Sequence, residues 1–206
     1  MTEPKADPGG APRARFRRIC VYCGSSEGRR PEYAEAARGL GAFLAKRGIG
    51  LVYGGGRLGM MGAVADGALA AGGEVIGVIP EKLRAREVAH LGLTELFVVD
   101  SMHARKTMMA YLSDAFIAMP GGWGTLEETF EVTTWAQLNY HLKPVGLLNV
   151  RGYFDRLLGF VEHAVEEGFI RDVHRGLVVS SSDPEQLLEL LAQVEVPELG
   201  RWIDKP

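Results

Sequence analysis

One run of nine residues concentrates the chemistry: Pro120-Gly121-Gly122-Trp123-Gly124-Thr125-Leu126-Glu127-Glu128. Glycines at 121, 122 and 124 permit a backbone nest whose N–H groups converge on phosphate oxygens. The residues before the run, DAFIAM, are continuously apolar and read as a buried strand. Those after it, LEETFEVTTWAQL, have helical spacing. A helix starting behind a glycine loop adds unpaired N–H groups and the positive end of its dipole, which together suit an anion. Thr125 is placed to cap that helix and to offer a hydroxyl. Glu128 has two readings. The spacing from Thr125 to Glu128 is that of a capping box, in which the glutamate bonds back to the cap. The same carboxylate would also stand beside the sugar of a nucleotide anchored by its phosphate. Glu131 shares a helix face with Glu128, an unfavourable pairing of like charges if both are exposed. Spacing alone leaves both readings open.

Three further groups carry possible chemistry. His103-Ala104-Arg105-Lys106 lies in the first turns of a helix that Asp100 or Ser101 is placed to cap. Cations there oppose the helix dipole, so they imply an anionic partner or nearby carboxylates. Gly54-Gly55-Gly56-Arg57-Leu58-Gly59 fits the dinucleotide pattern G-x-G-x-x-G. It follows the second strand rather than the first, and Glu74 begins the next strand instead of ending it. That disfavours NAD and leaves a close backbone approach to a smaller nucleotide, or a tight strand–helix turn. Cys20 and Cys23 spell C-x-x-C inside the apolar run ICVYC. Strand positions three apart face opposite sides, and a structural zinc needs four ligands. Histidines 90, 103, 141, 163 and 174 are scattered. The expectation is two reduced strand thiols, with no metal and no cofactor.

These groups need elements to hold them. Apolar runs RRICVYCG, IGLVYGGG, EVIGVIP, LFVVD, DAFIAMP, PVGLLNV and LVVSSS alternate with helical patterns, among them PEYAEAARGLGAFLAKRG, MHARKTMMAYLSD, YFDRLLGFVEHAVEEG and PEQLLELLAQ. Residues 81–95 read as irregular. Near-continuous apolar strands alternating with helices predict a Rossmann-like, doubly wound parallel sheet of about seven strands, with helices on both faces. Ligands in such folds sit at the carboxyl ends of the strands. Those ends carry CGSS, YGGGRLGMMG, VVDSMHARK and MPGGWGT, so the candidate groups are expected on one edge. The expected organisation is a polar, Pro/Gly-rich tail over 1–15 and a single nucleotide-binding catalytic domain over 16–206.

The chain has 206 residues and a net charge of −3, which argues against a general nucleic-acid binder. The basic stretch RARFRR reads as a solubilising flank to the first strand. No apolar run reaches the ~18 residues of a membrane span, and the polar start lacks a signal-peptide pattern. A cytoplasmic location is expected.

In combination the segments are more specific. PGGWGTLEE fits P-G-G-x-G-T-x-x-E; with CGSS, YGGGRLGMMG, MHARK and TTWAQLNYHLKPVGLLN in order, the chain closely resembles the LONELY GUY (LOG) family over residues 17–180. These are cytokinin-activating nucleoside 5′-monophosphate phosphoribohydrolases, often mislabelled lysine decarboxylases. The resemblance implies a Rossmann-like homodimer that hydrolyses the N-glycosidic bond of a purine ribonucleoside monophosphate, releasing free base and ribose 5-phosphate. It assigns Arg105 and Glu128 as the catalytic pair. It assigns Glu87, Lys106, the segment from Gly122 through Trp123, Gly124, Thr125, Leu126 and Glu127 to Glu128, and Thr134 as substrate contacts. Gly121, Ser25 and Gly55, at the strand ends, complete the candidate set. Trp123 stands where the family commonly has tyrosine, so a hydroxyl is missing there. Two other classes compete: a non-catalytic nucleotide or cofactor carrier on the same fold, and a pyridoxal-phosphate decarboxylase, for which Lys106 and Lys143 are the interior lysines.

Overall fold

The computed structural model describes residues 15–84 and 89–197. The expected residues 1–14 of the tail, the candidate Glu87 and the chain beyond 197 lie outside the described residues. Seven strands form one all-parallel sheet: β1 Arg18–Tyr22, β2 Gly50–Tyr53, β3 Val75–Pro80, β4 Glu95–Val99, β5 Ala115–Ala118, β6 Val145–Leu148 and β7 Val178–Ser181. Their order across the sheet is β4-β3-β2-β1-β5-β6-β7. The chain winds outward from β1 to β4, returns to lay β5 beside β1, and winds outward the other way. The reversal opens a crevice between the carboxyl ends of β1 and β5, where Tyr22 pairs with Ala118.

β1 shows why the strands read as apolar throughout. Ile19, Val21 and Cys23 enter one core and Cys20 and Tyr22 the other. Helices cover both faces, because a sheet buried on one side only would leave half of each strand in water. On the first face lie α1 Pro31–Lys46, α2 Gly59–Ala70 and α7 Pro184–Gln193, contributing Leu40, Leu44, Val64, Leu187 and Leu191. On the second lie α4 Met102–Leu112, α5 Trp123–Gln137 and α6 Asp155–Glu166, contributing Met109, Val132 and Leu157. The stretch expected to be irregular before β4 contains a four-residue helix, α3 Glu81–Arg84. Ser101 caps α4, its hydroxyl accepting from the Ala104 N–H at 3.1 Å. Both thiols are free and buried, as their opposed strand positions predict. Glu74 lies at the opposite edge of the sheet from the crevice, bound through both carboxylate oxygens to Arg18 at 2.8 Å. That removes the acidic partner a dinucleotide ribose requires. Among the described residues no helix is long and apolar enough to cross a membrane.

Candidate functional site

The switch point holds a cleft of about 230 Å³. Cys23, Gly24 and Ser25 come from the end of β1, Met61 from α2 and Leu83 from α3. Met102 and Arg105 come from α4, and Gly122, Trp123, Gly124, Thr125 and Glu128 from the start of α5. The four strand-end segments therefore meet, and the two candidate catalytic residues share one cavity. Gly24 N–H donates to the Pro120 carbonyl at 3.1 Å, lacing the β1 and β5 loops together.

α5 starts one turn earlier than its sequence suggests. Its first residue is Trp123 and its N-cap is Gly122, so Thr125 is inside the helix and does not cap it. The expected capping box with Glu128 is thereby excluded. No side chain caps α5, and its first backbone bond runs from the Leu126 N–H to the Gly122 carbonyl at 3.1 Å. The orphan N–H groups before Leu126 are grouped at the cleft wall, with the positive end of a 15-residue helix behind them. Thr125 is buried against Gly121, and its carbonyl accepts from the Thr129 hydroxyl at 2.6 Å. Trp123 is 88% exposed at the cleft mouth.

Arg105 is only 4% exposed. One guanidinium nitrogen donates to the Gly54 carbonyl at 2.8 Å, and another lies 3.9 Å from the Met102 sulfur. A Cβ on residue 54 would stand 2.0 Å from that guanidinium. Gly54 is thus a glycine for the sake of the arginine. Gly59 is one because a Cβ would meet the Ser25 carbonyl at 2.4 Å. The Met61 N–H also donates to the Gly24 carbonyl at 3.3 Å, so the start of α2 is plugged by protein. The expected close approach of a nucleotide to the 54–59 glycines is therefore replaced by close approach of protein to protein. Gly55 adopts φ +75° against Ile79 and Leu96 and does not line the cleft.

Lys106, beside Arg105, turns elsewhere. It is 7% exposed, and its ammonium bonds Glu127 at 2.5 Å and Glu131 at 3.0 Å. Desolvation pulls its pKa down, but the two carboxylate bonds outweigh it and hold it above the ordinary lysine value. The cations at the head of α4 are thus answered partly by carboxylates of α5. Glu127 faces Lys106 and Leu126 packs into the second core, so neither lines the cleft. Thr134 also stands apart. It is exposed three turns along α5 and borders a separate apolar depression of about 190 Å³ with Phe130, Leu157 and Val161. Burial pushes the Cys20 and Cys23 thiols up, and the Glu128 charge adds to both shifts. The Cys23 thiol at the cleft wall is thus held protonated and is a poor nucleophile.

Met61 and Met102 form a soft wall of the cleft, whereas Met60 and Met109 are core. Leu83 gave no sequence signal. Tyr153, after β6, donates its hydroxyl to the Gly121 carbonyl at 2.6 Å. The rule that ligand-edge residues follow parallel strands would have flagged it.

The fit to pyridoxal phosphate is poor. Lys106 is a paired ammonium, and Lys143 donates to the Ala110 carbonyl before β6, at the opposite edge of the sheet. Among the described residues no group of three or more His, Cys, Asp or Glu is placed to hold a metal ion.

Comparison with known proteins adds independent findings. The family model described as "Possible lysine decarboxylase" matches residues 61–191. A probable cytokinin riboside 5′-monophosphate phosphoribohydrolase LOGL9 from Oryza sativa subsp. japonica is 55% identical, over 90% of this chain and 82% of the relative. The cytokinin riboside 5′-monophosphate phosphoribohydrolase LOG of the same plant is 52% identical, over 95% of this chain and 82% of its own. Among solved structures, the molybdenum cofactor binding protein from Rippkaea orientalis is 30% identical with a TM-score of 0.64, over 86% of this chain and 96% of that one.

Proposed function

The chain belongs to the LOG family of cytokinin riboside 5′-monophosphate phosphoribohydrolases, and on that premise we propose that it hydrolyses the N-glycosidic bond of a purine ribonucleoside 5′-monophosphate. The products are the free base and ribose 5-phosphate. The observation that carries the proposal is the uncapped start of α5 opening into the cleft shared by Arg105 and Glu128.

The 5′-phosphate takes the N–H groups at 122–125, where a helix N-terminus and a glycine loop favour an anion. Water adds to C1′ as the bond to the base breaks, and one of the water protons ends on the departing base. The sugar passes through an oxocarbenium-like state, as in glycoside hydrolysis. The Glu128 carboxylate stabilises the positive charge developing on the ribose, or orients and deprotonates the water. Buried Arg105, fixed by Gly54, positions the substrate and assists the leaving base. The phosphate is remote from the reacting carbon, so its binding energy serves orientation. Met61 and Met102 offer a polarisable wall to an adenine ring, with or without an N6 substituent. The active form is a homodimer in the cytoplasm. Thr134 contacts substrate only if a second copy brings it to a cleft.

Likeness to a cofactor-binding protein favours one other reading, a carrier that binds without cleaving. Chromatography of free base separates the two. The chain is incubated with AMP, N6-isopentenyladenosine monophosphate and the matching nucleosides, with Glu128→Gln as control. Base released from the monophosphates alone, with kcat down at least ~100-fold in the variant, is expected. Bound nucleotide with no release would support the carrier.

A further inference from the structure

The glycine loop is held from behind by a residue outside the phosphate-binding motif. Tyr153 donates its hydroxyl to the Gly121 carbonyl at 2.6 Å, yet Tyr153 does not line the cleft. Among the described residues no peptide bond is cis, that between Gly121 and Gly122 included. In a trans peptide the C=O of one residue and the N–H of the next point in opposite directions. A Gly121 carbonyl drawn toward Tyr153 therefore turns the Gly122 N–H the other way, and Gly122 is a cleft-wall residue and the N-cap of α5. A Gly-Gly peptide has no Cβ on either side to resist rotation. Left untethered, this one would populate orientations that withdraw the donor.

The tyrosine is itself fixed with care. The connection after β6 passes through two successive left-handed residues, Arg151 at φ 56° and Gly152 at φ 69°. A non-glycine residue in that region is strained, and such strain persists where the surroundings over-determine it. Here the Arg151 guanidinium pairs with Glu32 at 2.9 Å, while Asn149 accepts from the Phe154 N–H and donates to Asp155. The Tyr153 ring is then held edge-on by Tyr33, centroids 6.0 Å apart, and by Phe154 at 5.0 Å.

The geometry points to Tyr153 as a positioning residue for anion binding: its hydroxyl locks the Gly121–Gly122 peptide so that the Gly122 N–H faces the substrate phosphate. This rests on the reading that the α5 loop binds the 5′-phosphate. The test compares the full chain with Tyr153→Phe. It measures kcat and KM for AMP, calorimetric affinity for ribose 5-phosphate and for ribose, and Tm. Loss of one oriented donor to a phosphate predicts a rise of about five- to tenfold in KM and in the Kd of ribose 5-phosphate. The value of kcat/KM should fall by at least the same factor, and ribose affinity should not change. An unchanged Kd for ribose 5-phosphate with a lowered Tm would make Tyr153 a structural tether and overturn the assignment. If the unaltered chain binds no ribose 5-phosphate, the phosphate reading of the loop falls first and takes this one with it. Should Tyr153→Phe fail to fold, Tyr33→Leu frees the ring while keeping the hydroxyl. A smaller rise in the same Kd supports the assignment, and no rise refutes it.

Discussion

Gly124 offers a way to separate a glycine kept for the protein from one kept for a ligand. It is the second residue of α5, and a Cβ built there meets nothing within 4 Å. Its backbone is helical, so alanine fits without strain. Gly→Ala at an unstrained helical position stabilises by about 0.5–1 kcal/mol, from higher helix propensity and a less disordered unfolded chain. For a protein of this size that is a rise in Tm of about 1–4 °C. Yet the open space beside Gly124 is the cleft itself. A methyl group there would stand between the α5 N–H groups and a phosphate. Gly124→Ala should therefore melt higher and turn over worse, with kcat/KM for AMP down at least ~10-fold, an activation-barrier change of about 1.4 kcal/mol. Gly121→Ala is the contrast. Its Cβ would lie 2.1 Å from the Thr125 hydroxyl oxygen and 2.9 Å from the Gly24 nitrogen, so it should lose stability, by about 1–3 kcal/mol, as well as activity. Differential scanning calorimetry with base-release kinetics reads both quantities. A Gly124→Ala enzyme with a raised Tm and undiminished kcat/KM would refute the placement of phosphate at α5. A lowered Tm would refute the packing argument.

Two further predictions concern groups outside the cleft. Lys106→Met strands Glu131, whose Oε2 is buried without a hydrogen-bond partner, and should lower stability by about 1–3 kcal/mol; the Lys106/Glu131 double-mutant cycle by thermal melts should return a coupling of about 1 kcal/mol. An additive cycle would mean that the ion pair is idle. His141 is held down to about 4, by burial first and then by the Lys143 charge. Because the unfolded chain binds the proton between pH ~6.5 and ~4 and the folded chain does not, stability should fall as pH drops through that window and lose no more from this group below it. His141→Asn keeps an acceptor for the Lys143 N–H and cannot be protonated. It should recover about 1–2 kcal/mol at pH 4 relative to pH 7, allowing for the partial exposure of the ring, in urea titrations at the two pH values. Parallel loss of stability in both proteins would reject the assignment.

The sequence by itself determined the sheet and the edge on which the site lies. Apolar runs alternating with amphipathic helices have few other ways to bury both faces of each strand, so about seven strands and the ligand edge could be read from the residues alone, whereas the crevice between β1 and β5 came with the strand order. It also determined that the α5 loop matters, because three glycines between a strand and a helix are informative locally. Tertiary structure decided which way each side chain of that motif turns. The capping box failed because α5 begins at Trp123 and puts Thr125 inside the helix. Lys106 and Glu127, adjacent in sequence to the catalytic candidates, face each other, since their partners lie 21 residues away on a different helix. Gly54 and Gly59 look like a nucleotide fingerprint but make room for Arg105 and the Ser25 backbone. Tyr153 reaches Gly121 from 32 residues along the chain. Local spacing encodes periodicity and backbone freedom. Which atom fills the space beside a glycine, or answers a charge, is set by contacts between segments distant in sequence, and packing alone brings those together.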